Sequence, residues 1–139
     1  DPGTATSLNN FANALETNEQ FADAEALYHK AEEILRGGAG TPGKLADVLN
    51  NIAYLAKKAG RFDDATNYYL EAFSLLKNLD DSSYNFKSIV ICFNLSRLFE
   101  DSDRIQAIEW CELGLSMADN FLEEGHDLFE ALREQRLSL

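Results

Sequence analysis

The chain has 139 residues, 45% of them hydrophobic and 26% charged, and only two prolines, Pro2 and Pro42. That is enough for one domain around one core, and so few helix breakers fit a mostly helical protein. The net charge of −12 comes with no cluster of lysine and arginine, which argues against nucleic acid and against an anionic membrane surface as partners.

In chain order, Leu8, Phe11, Ala12 and Leu15 follow the i, i+3, i+4, i+7 spacing of one helical face. Thr17-Asn18-Glu19 makes a short turn, and Phe21, Ala24, Tyr28, Ala31 and Leu35 mark a second helix. A linker, Gly37 to Gly43, follows; in it Thr41 can cap the next helix and Pro42 suits its first turn. The pattern then returns 41 residues later. Leu49-Asn50-Asn51-Ile52-Ala53 repeats Leu8-Asn9-Asn10-Phe11-Ala12, and Phe62, Ala65, Tyr69, Ala72 and Leu76 repeat the second stripe. Between them, Gly60 can take the positive φ that ends a helix.

Leu79-Asp80-Asp81-Ser82-Ser83 is a capping-rich joint to a third copy. There Cys92-Phe93-Asn94-Leu95-Ser96 stands 84 residues after Leu8 to Ala12, whereas Ala107, Cys111, Gly114 and Ala118 stand 83 after Ala24, Tyr28, Ala31 and Leu35. One residue is therefore missing, and the expected place is the internal turn near Ser102 to Arg104. Beyond residue 120, Leu128, Phe129, Leu132 and Leu137 outline a last amphipathic helix, either a cap or the start of a truncated fourth repeat.

Small side chains fall where helices must approach closely: Ala12, Ala53 and Ser96 on the first helices, Ala24, Ala65 and Ala107 early on the second, then Ala31, Ala72 and Gly114. Phe21, Phe62, Tyr28 and Tyr69 are the expected fillers between them. Cys92 and Cys111 occupy core slots and read as reduced thiols.

This small–large–small pattern resembles the tetratricopeptide repeat. The Leu-Asn-Asn-Φ-Ala start and a period near 42 are most similar to the kinesin-light-chain-type subclass. The resemblance covers roughly residues 5–119, with repeats at about 5–38, 46–79 and 87–119 and a last helix at about 126–138, all in one domain of 1–139. It implies an all-α, right-handed α-solenoid of three helix-turn-helix hairpins plus a C-terminal capping helix, with the first helices lining a concave groove. On that implication Asn9, Asn10, Asn13, Asn50, Asn51, Tyr54, Lys57, Lys58, Phe93, Asn94 and Arg97 face the groove. A chaperone-adaptor variant of the family grips a C-terminal carboxylate with two Lys, two Asn and one Arg. Asn13 and Asn51 match its asparagines, but Asn9, Val90 and Asn94 stand at the other three positions, so that activity is not expected.

Asn10, Asn51 and Asn94 occupy one repeat position in all three copies, although asparagine is a mediocre helix former. Their amides, donor and acceptor at once, either pair with the backbone of an extended peptide or order the stack by bonding a neighbouring helix. Acidic residues crowd the second helices and the tail, while Lys57, Lys58 and Arg97 lie on groove positions. An acidic peptide is thus the expected guest, with Tyr54 and Phe93 holding an aromatic or aliphatic anchor. Lysines near a helix C-terminus also suit its dipole without any guest.

His29 and His126 have no neighbour at metal-ligand spacing, the Gly-rich linker follows no strand, and no histidine stands near a nucleophile. We expect no catalytic residue, no metal and no cofactor, hence a non-catalytic, cytoplasmic module that binds a protein or peptide. Two other classes stay open: self-association, with Phe11 or Phe129 in a homodimer contact, and a regulatory arm of a larger enzyme or signalling protein.

Overall fold

A computed structural model describes residues 1–38, 40–77, 79 and 83–139. They form seven helices and no strand: α1 (Pro2–Thr17), α2 (Phe21–Arg36), α3 (Pro42–Lys58), α4 (Phe62–Lys77), α5 (Ser83–Phe99), α6 (Arg104–Phe121) and α7 (Asp127–Ser138). The fold class is the all-α helical repeat of solenoid proteins. The chain divides into two compact units, Asp1–Leu75 and Leu76–Leu139. Most of the expected joint at residues 79–83, namely 80–82, and Ala39 of the linker lie outside the described residues.

The helix starts follow their caps. Asp1 Oδ1 accepts from Thr4 N at 2.8 Å, and Thr41 Oγ1 accepts from Lys44 N at 3.3 Å. These two first helices therefore begin at their prolines, nearly two turns before the apolar stripes that start at Leu8 and Leu49. Asp103 Oδ1 caps α6 through Gln106 N at 3.1 Å, and His126 Nδ1 caps α7 through Leu128 N at 3.1 Å.

The two hairpins of the first unit turn by the same device. After α1, Glu19 N donates to Glu16 O at 2.9 Å and Gln20 N to Leu15 O at 2.8 Å. After α3, Gly60 N donates to Lys57 O at 3.0 Å and Arg61 N to Ala56 O at 2.8 Å. These paired bonds make a Schellman motif, which requires a left-handed residue. Gly60 supplies it with φ 78°, as its residue type suggests; in the first hairpin a non-glycine, Glu19, does so with φ 61°.

The third hairpin corrects one expectation. The missing residue is not taken from the turn, which is four residues long (100–103) against three in the other hairpins; it comes from the end of α5. Asp103 N donates to Phe99 O at 2.9 Å and its side chain starts α6 directly. Without a left-handed residue the chain reverses by one more helical turn and a cap.

In the first unit Ala5, Ala12, Ala24, Tyr28, Ala31, Leu35, Val48, Ile52 and Leu55 form one core. Ala12, Ala24, Ala31, Ala53, Ala65 and Ala72 have no solvent exposure, as the close approach of helices demands. Tyr28 and Tyr69 fill gaps as expected, but Phe21 and Phe62 do not: each stands at the first position of its helix and remains 38% and 55% exposed. Ion pairs add a ladder between α2 and α4. Arg36 grips Glu71 with two bonds of 2.8 Å, and Arg61 reaches Glu25 at 2.7 Å. These side chains stand at the surface, where water screens the pairs and leaves them weak. A buried leucine or isoleucine contributes about 1.5–3 kcal/mol, so the core rather than the ladder holds the hairpins together.

In the second unit α7 packs on α6 and α5 and buries Phe129 and Leu132 against Ile89, Cys111 and Ala118. Gly114 is the contact point: a Cβ there would lie 3.0 Å from Leu132 Cδ2 and 3.2 Å from Cys92 Cβ. Phe129, which the sequence placed on the apolar face of the last helix and which the self-association reading offered as a dimer contact, is core, 4% exposed. Buried polar groups are paired. Ser96 Oγ donates to Ala107 O at 2.8 Å, and Gln135 Nε2 donates to Ser96 Oγ at 3.3 Å and to Glu100 Oε2 at 3.1 Å.

Candidate functional site

The first helices carry the expected site residues. In the first unit Asn10 is exposed on α1, and Tyr54, 39% exposed, and the partly buried Lys57 lie on the last two turns of α3. Asn51 and Asn13 already bond within the protein. Asn51 Nδ2 donates to Asn9 Oδ1 at 3.0 Å, a direct rung from α3 to α1, and Asn13 Oδ1 accepts from the buried Tyr28 hydroxyl. The Asn51 amide thus bonds a neighbouring helix with one of its two hydrogens, the stack-ordering alternative left open by the sequence.

A second cluster lies two helical turns further on, seven residues beyond each partner of that rung, at Glu16 and Lys58. The Lys58 ammonium stands over two rings, 4.7 Å from the Tyr54 centroid and 5.1 Å from that of Phe21. Phe21, though at the surface, thus has a contact of its own: with Tyr54 it flanks the cation. Glu16 Oε1 lies 3.5 Å from the Tyr28 hydroxyl. Burial raises the Glu16 carboxyl above its usual range, while the nearby Lys58 charge pulls it down and loses. The same burial, with Glu16 alongside, raises the Tyr28 phenol. The sequence placed Asn9 and Lys58 on the face and Phe21 among the gap fillers, but gave Glu16 no role. A signal existed: Asn9–Asn51 and Glu16–Lys58 are both separated by 42 residues.

In the second unit Asn94 is partly buried on α5, and Arg97 lies with its guanidinium 5.9 Å from the Phe93 centroid and its Nε 3.4 Å from Glu100 Oε2. Phe93 and Arg97 line a pocket of about 370 Å³ with Ala131, Glu134, Gln135 and Ser138 of α7.

Charge is sorted by helix. In α3, Lys44, Lys57 and Lys58 outnumber Asp47, and α5 carries Lys87 and Arg97 with no acid. Each second helix has two more acids than bases: Asp23, Glu25, Glu32 and Glu33 against Lys30 and Arg36 in α2; Asp63, Asp64 and Glu71 against Lys77 in α4; Glu109, Glu112 and Asp119 against Arg104 in α6.

Catalytic chemistry finds little to work with here. Burial pushes the Cys92 thiol up to about 12 and raises Cys111, whose Sγ donates to Leu132 O at 3.2 Å, so both stay protonated at neutral pH. His29 lies against Glu32 at 3.0 Å and Glu25 at 3.7 Å on the outer face of α2. Among the described residues no group of three or more His, Cys, Asp or Glu is placed to hold a metal ion, and no helix is long and apolar enough to cross a membrane.

Among curated proteins no sequence matches this chain. Solved structures do. BtubC (BKLC) from P. vanneervenii superposes with a TM-score of 0.79 at 23% identity, over 97% of this chain and 57% of that one. A Podosopora anserina protein described as a kinesin light chain with nearly identical TPR-like repeats superposes with a TM-score of 0.77 at 16% identity, over 99% of this chain and 66% of that one; a single-substitution variant of it gives 0.79. The chain thus spans less than two thirds of these proteins, and at such identities the likeness is one of fold. The sequence itself goes further, because the model of the tetratricopeptide repeat matches residues 3–78, the two hairpins that share the Asn-Asn start, the αL turn and the alanine contacts. The chain belongs to the tetratricopeptide repeat family.

Proposed function

We propose that the first-helix faces of this protein bind an extended, acidic peptide segment of a protein partner, without catalysis. Tetratricopeptide repeats are in general protein–protein interaction modules. What supports the acidic guest is the charge sorting: in a chain of net charge −12, the surplus cations sit on α3 and α5, beside Tyr54 and Phe93. Complementary charge of this kind speeds encounter and selects among partners. In this reading Asn10, Asn13 and Asn51 on the first unit, and Asn94 on the second, contact peptide backbone. Tyr54, Lys57 and Arg97 select side chains.

An amide NMR titration tests it, with blocked peptides of glutamate and one tryptophan, and lysine-for-glutamate peptides as control. Shifts on α1, α3 and α5 with the acidic peptides, reduced in a folded Asn10→Ala/Asn51→Ala/Asn94→Ala variant, are expected. Shifts confined to the second helices, or equal response to the basic control, would overturn the proposal. Self-association is the second reading. One observation favours it, the 58% exposure of Phe11 on α1. Sedimentation at rising concentration of the parent and of Phe11→Ser separates the two.

A further inference from the structure

The repeat leaves one stacking face open. In the first unit Val48, Ile52 and Leu55 of α3 are buried in one core with Tyr28, Ala31 and Leu35 of α2, so a second helix covers the stacking face of the first helix that follows it. One period earlier the same positions of α1 are Ser7, Phe11 and Ala14, and all three are exposed, Phe11 by 58%. The charges keep the register. Arg36 of α2 grips Glu71 of α4, and one period before Glu71 stands Lys30, exposed on α2. A helix laid against α1 and α2 as α2 lies against α3 and α4 therefore meets Phe11 at its centre, and Lys30 where Arg36 meets an acid.

This chain has no such helix to offer. The covering stripe of α2, centred on Tyr28, recurs around Tyr69 in α4 and around Cys111 in α6, and each of these three residues is buried. The last lies in one core with Phe129 and Leu132 of α7. Among the described residues an open face of the α1 kind thus stands without an open stripe to fill it, and α7 closes the route of head-to-tail stacking between copies. A second copy also brings a second charge of −12. The face itself is suited to burial. Residues 2–15 carry no charge, the longest such run in the sequence, and a charge-depleted centre around an aromatic is how interface cores are built.

We propose that the stacking face of α1 docks an amphipathic helix of a different protein, one that presents an apolar stripe like that of α2 and a carboxylate in place of Arg36. Phe11 anchors the helix and Lys30 sets its register, as Glu71 does for Arg36 one repeat on. A plain copy of α2 is disfavoured, because it brings Arg36 against Lys30, so the face also selects by repulsion. The site is separate from the groove residues of the acidic-peptide reading, and it gives Phe11 a use other than self-association.

The probe is a labelled, end-blocked peptide with the sequence of residues 20–37 and the change Arg36→Glu, titrated with the full chain by fluorescence anisotropy. The same peptide without the change completes a double-mutant cycle. The Arg36→Glu peptide is expected to bind about threefold more tightly than the unchanged one, the effect of a surface ion pair, and Lys30→Glu in the protein is expected to reverse that order. Phe11→Ser is expected to weaken both peptides about tenfold or more, the cost of truncating a central aromatic anchor. Thermal unfolding of each variant confirms that it is folded. An unchanged order of the two peptides with Lys30→Glu, or binding that Phe11→Ser leaves intact, overturns the proposal. So does a parent that sediments as a Phe11-dependent dimer, which assigns the face to a second copy. Absence of binding by both peptides overturns it as well, and none of these results touches the groove reading, which has its own titration.

Discussion

Glu19 and Gly60 hold the same place in successive hairpins and the same left-handed backbone, with φ 61° and 78°, but only one of them is suited to it. For a residue with a Cβ this conformation costs roughly 1–2 kcal/mol. Glycine avoids that strain and gives back roughly 0.5–1 kcal/mol through the greater freedom of its unfolded chain. Glu19→Gly should therefore stabilise the protein by about 0.5–1 kcal/mol, a rise in Tm of about 2–4 °C for a chain of this size. Gly60→Ala is the reverse experiment. A Cβ at Gly60 meets nothing within 4 Å, so its cost is purely conformational and should be about 1 kcal/mol. Urea unfolding followed by far-UV circular dichroism measures both. A neutral or destabilising Glu19→Gly would show that the Glu19 backbone is not under strain, and the parallel drawn between the two turns would fail with it.

Three further outcomes follow from the packing. Tyr28→Phe keeps the ring but removes the hydroxyl bonded to Asn13, and urea unfolding should register a loss of about 1 kcal/mol. Gly114→Ala gains about 1 kcal/mol of helix propensity but crowds Leu132 and Cys92 at 3.0 and 3.2 Å, where overpacking costs about 1–3 kcal/mol. It should destabilise the parent and stabilise a Leu132→Ala background, and the same sign in both would refute the contact. Glu16 sets a pH dependence. Burial raises its folded carboxyl above the ordinary carboxylate value, so the native state binds more protons than the unfolded one and stability falls as pH rises through that window. Glu16→Gln should accordingly raise Tm at pH 7 and lose that advantage below about pH 4.5; an advantage that persists at low pH would point to packing instead of charge.

Much of the architecture was legible because helix packing leaves a periodic trace. Two hairpins built to one plan repeat Leu-Asn-Asn and the alanine positions at one offset, and those alanines are the residues with no exposure. The start of α3 was legible too, because Thr41 caps it and Pro42 opens it ahead of the apolar face. What was misread depends on terms that do not repeat. The lost residue of the third hairpin shows as an offset, but whether turn or helix gives it up depends on the missing αL residue. Phe21 and Phe62 look like core by type, yet the first position of a helix lies at the edge of the packed layer. Phe129 was open between the face of a capping helix and a dimer contact; α7 folds over Gly114, where a Cβ would crowd Leu132 at 3.0 Å, and buries it.

The site was less legible for a different reason: its residues work in pairs across helices, and pairing is a property of the fold. Asn51 stood out by recurring, but its meaning depends on Asn9, which bonds it. Lys58 read as one of two adjacent lysines suiting a helix end; its position between two rings separates it from Lys57. Glu16 carried no signal by type, being one acid among 24 Asp and Glu residues. What marks it out is being the acid on a helix without other charge, placed beside the Tyr28 hydroxyl. In a repeat array, then, residues separated by the period report the packing, whereas residues separated by the period plus one report what the first helices say to each other, and to a partner laid across them.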